Sequence, residues 1–399
     1  MSKELHFSPE RKLARRFDTP YRSREITDQV YTGEAGPYEI KKVHERFAQS
    51  QKDYLLIEPS PYNIYFGELH GHTRLSDGGP TPDEYYLNIR DRAKLDFAAL
   101  TDHTHGGVGH DTLFGEKWDQ IRAAAKKYNN PGTFSTILGA EIEAYPYYNN
   151  AVVYHSSHDA DVVRSAVNGD FTHAEMKALL EREDLIVVPH DTYAIEPGCD
   201  FAAMPEDLFT PLIEIFSRGD CAEYMGNPWN TYPDQCEGGF WQDALRRGAK
   251  MGCIGASDDH GMTNGITLPE SEGFMRYPGI TGVLAEENTP EAIFRAIKAR
   301  RCYGFMGGRM WVDFRINGHF MGEEFTREDD LSIYYKVEAD APVDRVILVK
   351  NCRDYIISGR AERLLYDYRQ ETDCDYYYLR ILLKDGRCGW TSPIWIQRG

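Results

Sequence analysis

Imidazole and carboxylate side chains recur along this chain in short clusters: His70-Gly71-His72, Ser76-Asp77-Gly78, Asp102-His103, Glu141, His190 and Ser257-Asp258-Asp259-His260. Alternate side chains of an extended segment point the same way, so His70 with His72, and Asp258 with His260, can each clamp one ion. Mixed nitrogen and oxygen donors suit zinc, manganese or iron better than calcium or magnesium, and no candidate thiolates accompany them. Two divalent cations sharing a water would lower its pKa toward neutrality. The resulting hydroxide could attack an electrophilic phosphorus or carbonyl while a cation stabilises the developing oxyanion.

A lone histidine near a strand end is ordinarily a satisfied core residue, and His6, His44, His110, His173 and His319 are read that way. Five strand ends carrying such groups together are not ordinary, because an unpaired buried cluster of this kind is costly.

The elements that must position these groups follow from hydrophobic periodicity. Short apolar runs predict strands at Ile64–Gly67, Phe97–Thr101, Ile137–Ala140, Ala151–Tyr154, Leu185–Val188, Leu212–Phe216, Cys253–Ala256 and Ile280–Val283, with helices between most of them. This is the pattern of βα units around a parallel sheet or barrel, whose strand ends converge on one face. Thr81-Pro82-Asp83-Glu84 and Thr172-His173-Ala174-Glu175 read as capping boxes, and Thr289-Pro290-Glu291 opens a helix running to about Arg300. From about Tyr303 the apolar period becomes two, with Asn317-Gly318 and Asp385-Gly386 as hairpin turns. The expected division is an N-terminal arm over 1–62, a metal-binding α/β domain over 63–302 and a small antiparallel β domain over 303–399.

Composition narrows the class. The chain has 399 residues, 41% hydrophobic and 27% charged, enough for one large core and a smaller one. No apolar run reaches the ~20 residues of a membrane span, and the charged opening segment lacks the apolar stretch of a leader, so a cytoplasmic protein without membrane contact is expected. A net charge of −18 disfavours nucleic acid as a partner. The eight cysteines are scattered and are expected to be reduced. The Tyr-rich arm is suited to reach across to a second copy, which makes a homo-oligomer an expectation.

Phe66-Gly67-Glu68-Leu69-His70-Gly71-His72-Thr73, Ser76-Asp77-Gly78, Thr101-Asp102-His103, Gly139-Ala140-Glu141, Val188-Pro189-His190 and Ser257-Asp258-Asp259-His260 resemble the successive motifs of the PHP (polymerase and histidinol phosphatase) superfamily over roughly residues 64–300. Arg301 through Gly322, and Trp390-Thr391-Ser392-Pro393-Ile394-Trp395, resemble a branch of it known mainly as a domain of unknown function. The resemblance implies a distorted (β/α)7, TIM-like barrel with two or three divalent ions. One ion would be held by His70, His72, Glu141 and Asp258, and a second by Asp77, His103 and His260. Glu141 would bridge toward a third near His190. The family has a further His on the strand after that Glu; Asn149 or Asn150 stands there, with His155 and His158 beyond the strand.

Hydrolysis of a small anionic phosphate ester is the expected activity. Amide or ester hydrolysis on the same ions is the alternative, and a non-catalytic metal-containing binding protein a third reading. His190 or His105 is the candidate proton donor, and Asp102 is expected to orient His103. Arg218 and Arg74 are the candidate cations for the substrate, with Glu214 read as the partner of Arg218. Tyr145, Tyr147, Tyr148 and Tyr193 are candidates for an aromatic wall.

Overall fold

A computed structural model of the chain describes residues 57–104, 113–163, 171–194, 199–233 and 235–399. The expected arm over 1–62 and the candidate His105 therefore lie almost wholly, and wholly, outside the described residues. Two compact units emerge, one over Tyr62–Gly308 and one whose C-terminal part is Arg309–Gly399.

In the first unit the strands are β1 (Asn63–Glu68), β2 (Phe97–Leu100), β3 (Ser135–Glu143), β4 (Asn150–His155), β5 (Leu185–His190), β6 (Leu212–Phe216), β7 (Gly252–Gly255), β8 (Gly279–Ala285) and β9 (Cys302–Met306). Helices α1 (Pro82–Leu87), α2 (Glu116–Tyr128), α3 (His173–Leu180), α4 (Trp241–Arg246) and α5 (Pro290–Lys298) lie between them. The capping boxes form as the sequence predicts: the Thr81 and Thr172 hydroxyls accept from the backbone of Glu84 and Glu175, and both carboxylates reach back to the cap.

The strand order is β9-β8-β1-β2-β3-β4-β5, with β6 and β7 paired separately. Among the described strands of this unit, only β1–β2, β2–β3 and β6–β7 pair in parallel. The expected parallel sheet is thus a mixed one: β4 runs antiparallel to β3 and β5, and β8 antiparallel to β1 and β9. The reason at β4 is chain length. Only Ala144–Asn149 separates it from β3, far short of the dozen or so residues a parallel crossover takes. Leu69, Phe97, Ala99, Ile137, Val152, Ile186, Val188, Leu212, Ile254 and Val283 build the core, against which α5 lays Ile293 and Ile297. The Tyr154 hydroxyl, inside this core, donates to the Leu69 carbonyl at 2.9 Å and so pins the chain just ahead of His70.

The second unit is β-rich. Strands β10 (Met310–Ile316), β11 (His319–Phe320), β12 (Glu324–Thr326), β13 (Leu331–Ala339), β14 (Val343–Lys350), β15 (Arg353–Ser358), β16 (Glu362–Asp367), β17 (Cys374–Leu383), β18 (Cys388–Thr391) and β19 (Ile394–Gln397) are mostly antiparallel. Asn317 and Gly318, at φ 50° and 84°, make the tight turn between β10 and β11. All eight cysteines are free thiols. Among the described residues no helix is long and apolar enough to cross a membrane.

Candidate metal centre

The histidine and acidic motifs converge because backbone pairing continues past the strand ends. His72 N donates to the Asp259 carbonyl (3.1 Å), Asp258 N to His70 (3.0 Å), Thr101 N to Gly71 (3.1 Å) and Glu141 N to Asp102 (3.1 Å). Three carboxylates then lock the loops. Glu68 accepts from the backbone N–H groups of His70, Ser257 and Gly265, and burial pushes its carboxyl up to about 7. Asp102 accepts from Thr73 N (2.8 Å) and Oγ1 (2.7 Å) and from Ser76 N (3.1 Å) and Oγ (2.6 Å), holding the turn that carries Asp77. Asp259 accepts from Gly261 N and from Thr263 N and Oγ1, shaping the loop around His260. Asp191 and Asp258 both sit at positive φ, 51° and 47°, backbone strain of the kind that concentrates at functional sites.

Among the described residues, ligand-type atoms gather in three groups, each with all its atoms within 4.8 Å of one another: His70, His72, Glu141 and Asp258; His72, Asp77, His103 and His260; and His70, His190 and Glu214. In the first, His72 Nε2 lies 3.0 Å from Asp258 Oδ1 and 3.3 Å from Glu141 Oε2, while His70 Nε2 lies 3.2 Å from Glu141 Oε2 and 3.3 Å from Asp258 Oδ1. In the second, His260 Nε2 lies 3.1 Å and His103 Nε2 3.7 Å from the Asp77 carboxylate, and the His72 and His260 rings stack with centroids 4.1 Å apart. His103 Nδ1 also approaches Glu141 Oε2 at 3.0 Å, joining the two groups.

The electrostatics are those of a site that collects positive charge. Burial alone pushes the His70 imidazole down, but Asp258, Glu214 and Glu141 outweigh it and hold it well above its usual range. His190 is treated likewise by Asp191, Glu214 and Asp258. Burial pushes the Glu141 carboxyl up, yet His103 and His70 hold it well below the usual carboxylate range. For His72 burial prevails and lowers the pKa, which favours the neutral, ligating form. Its Nδ1 is buried with no hydrogen-bond partner. The donor set therefore fits divalent cations: mixed nitrogen and oxygen atoms, closely spaced, with carboxylate charge in excess.

The structure brings together His70, His72, Asp77, His103, Glu141, His190, Asp258 and His260. Glu141 lies inside β3 rather than beyond its end. Other expectations change. Asp102 is occupied by Thr73 and Ser76, so the carboxylate expected to aim His103 shapes the neighbouring loop instead. Arg218 Nη2 donates to the Thr263 carbonyl at 2.7 Å and its Nε lies 3.5 Å from Asp259 Oδ1, committing the guanidinium to the 259–266 loop rather than to open space. Arg74 is exposed beside Glu84. Tyr193 and Tyr148 are both buried, Tyr193 donating to Asp191 and Tyr148 to the Leu208 carbonyl. Asn150 faces His190 across β4–β5, and His155 sits at the other end of β4 opposite Leu185.

Sequence reasoning missed Glu214, which meets His70 and His190 and not Arg218. Its signal was present: a lone acid in the apolar run Leu212–Phe216 is costly to bury without partners.

Residues 262–340 match a family model described as a protein of unknown function, DUF3604. Two curated relatives, uncharacterized proteins of Chlamydia pneumoniae and Chlamydia muridarum, are 22% and 23% identical over 93% of this chain, which spans 64% of their length. Among solved structures, a Bacteroides vulgatus two-domain protein described as containing a predicted PHP-like metal-dependent phosphoesterase aligns with 86% of this chain and 97% of its own, at 14% identity and a TM-score of 0.43.

Proposed function

We propose that this chain is a PHP-type metal-dependent hydrolase acting on a small anionic phosphate ester. The carrying observation is that separate strands and the loops after them deliver three overlapping groups of nitrogen and oxygen donors into one cluster, buried at His70, His72, Glu141, His190 and Glu214 and open to solvent at Asp77 and His260. The motif series that resembles the PHP superfamily supports a phosphoester over an amide, and supports reading the first unit as a distorted (β/α)7 barrel.

In this reading His70, His72, Glu141 and Asp258 hold one divalent cation, and Asp77, His103 and His260 a second. Divalent cations at such a site lower the pKa of a coordinated water and stabilise negative charge developing on the substrate. His72 reaches both groups through opposite ring nitrogens. A neutral imidazole has one lone pair, so His72 would ligate through Nε2 and carry its proton on Nδ1, which lies 3.8 Å from Asp77 Oδ1. His190, between Glu214 and Asp258, serves as a ligand to a third cation, toward which Glu141 bridges, rather than as the proton donor. Arg218 holds the loop that carries His260.

The test is a substrate screen on the full chain loaded with manganese or zinc, with a double variant, Asp258→Ala with His260→Ala, as control. Phosphate release from aryl phosphates is expected, falling at least ~100-fold in the variant together with metal content. Turnover of amides or esters without phosphate release would replace this reading with the acyl-hydrolase one, and equal turnover by the variant would sink both.

A further inference from the structure

We infer that Glu214 is a positioning residue for two ligands at once, its carboxylate fixing the rings of His70 and His190 so that both Nε2 atoms face the cations. This rests on the reading that the cluster holds divalent cations, and not on which substrate is cleaved.

Glu214 is buried in the middle of β6, and each of its oxygens meets a different imidazole. Oε2 lies 2.9 Å from His70 Nδ1, and Oε1 lies 2.9 Å from His190 Nδ1. An ionised carboxylate has acceptors and no proton, so each Nδ1 carries its hydrogen and each Nε2 is left with the lone pair. Those Nε2 atoms are the ones turned toward the other ligands. His70 Nε2 approaches Asp258 Oδ1 at 3.3 Å, and His190 Nε2 approaches Asp258 Oδ2 at 3.2 Å. One carboxylate thus orients the two rings from behind while another collects them in front. The rings are held edge to face, with centroids 4.7 Å apart and planes at 82°. With Asn150 rather than an imidazole facing His190 across β4–β5, a third cation depends on this fixed orientation of His190.

Glutamine has the same shape but presents one acceptor and one donor. Facing two Nδ1–H groups, the glutamine of Glu214→Gln satisfies one and opposes the other. The opposed ring must move its proton to Nε2, which blocks ligation, or turn away. His70 also belongs to the four-residue group with His72, Glu141 and Asp258, so His190 is the ring expected to fail.

Zinc alone is the probe, added to the metal-stripped full chain and counted by elemental analysis and titration. Glu214→Gln should hold one equivalent fewer than the wild type, or bind it about 10–100-fold more weakly. His190→Ala should lose the same equivalent, and the double variant no more than either single one. Histidine nitrogen NMR of the zinc-loaded wild type, which does not depend on any variant folding, should show the proton on Nδ1 of both His70 and His190. A Glu214→Gln protein with the full zinc count at wild-type affinity, losses that add in the double variant, or a proton on either Nε2 would overturn the inference. A wild type that takes up no zinc would overturn the cation reading along with it.

Discussion

His155 and His190 are histidines at ends of neighbouring strands, yet only His190 reaches the cluster. The antiparallel register sets Asn150 opposite His190 and carries His155 to the start of β5. There His155 is 2% exposed, and neither ring nitrogen has a hydrogen-bond partner. Burial, reinforced by Arg182, pushes its imidazole down to about 4 from the ordinary 6.5. The unfolded chain therefore binds a proton between pH 6.5 and 4 that the folded chain refuses. Stability from this residue is complete above pH 6.5 and is lost as pH falls toward 4. A cavity of about 250 Å³ lined by His155 leaves room for a similar ring, so His155→Phe should fold. Relative to wild type it should gain about 2 kcal/mol in urea unfolding between pH 7 and pH 5, at ~1.4 kcal/mol per pH unit below 6.5. An unchanged difference at the two pH values would refute the buried neutral state.

At the scale of elements, the strands were readable because short apolar runs bounded by polar residues leave few alternatives. Leu212–Phe216 matches its expected bounds, while β3 extends past its expected end to Glu143 because β4 folds back along it. Loops were less readable, since their shape comes from partners far away in the chain. The turn holding Asp77 depends on Asp102 and on Gly78. A Cβ on Gly78 would lie 2.4 Å from the carbonyl carbon and oxygen of His72, neither of which can yield without moving the ligand strand. Gly78→Ala should therefore displace Asp77 from His260 and His103. Zinc affinity should fall by about tenfold or more for one ion, with the far-ultraviolet circular dichroism unchanged. Wild-type zinc affinity at every site would show that the turn does not position Asp77.

At the scale of the whole molecule, every residue of the three ligand groups belongs to the first unit, and the second buries an ion-pair network of its own. Lys350 is fully buried there, with Nζ 3.0 Å from Asp367 Oδ2 and 3.2 Å from Asp375 Oδ2. Removing the ammonium leaves buried carboxylates without their cation, so Lys350→Met should cost roughly 3–5 kcal/mol in denaturant unfolding. Zinc stoichiometry under native conditions should not change. A lost zinc equivalent in folded Lys350→Met would refute that expectation.

The amino-acid sequence by itself determined which chemistry was available, because residue type and strand-end spacing carry that information locally: His70-Gly71-His72 and Asp258-Asp259-His260 announce a cation site without any coordinates. Only the tertiary structure decided which partners each group takes. Glu214 is 144 residues from His70, β4 reverses direction, and Asp102 turns to Thr73 and Ser76. Hydrogen bonds act over about 3 Å in space, and which distant residues meet across that distance is fixed by strand register rather than by local pattern.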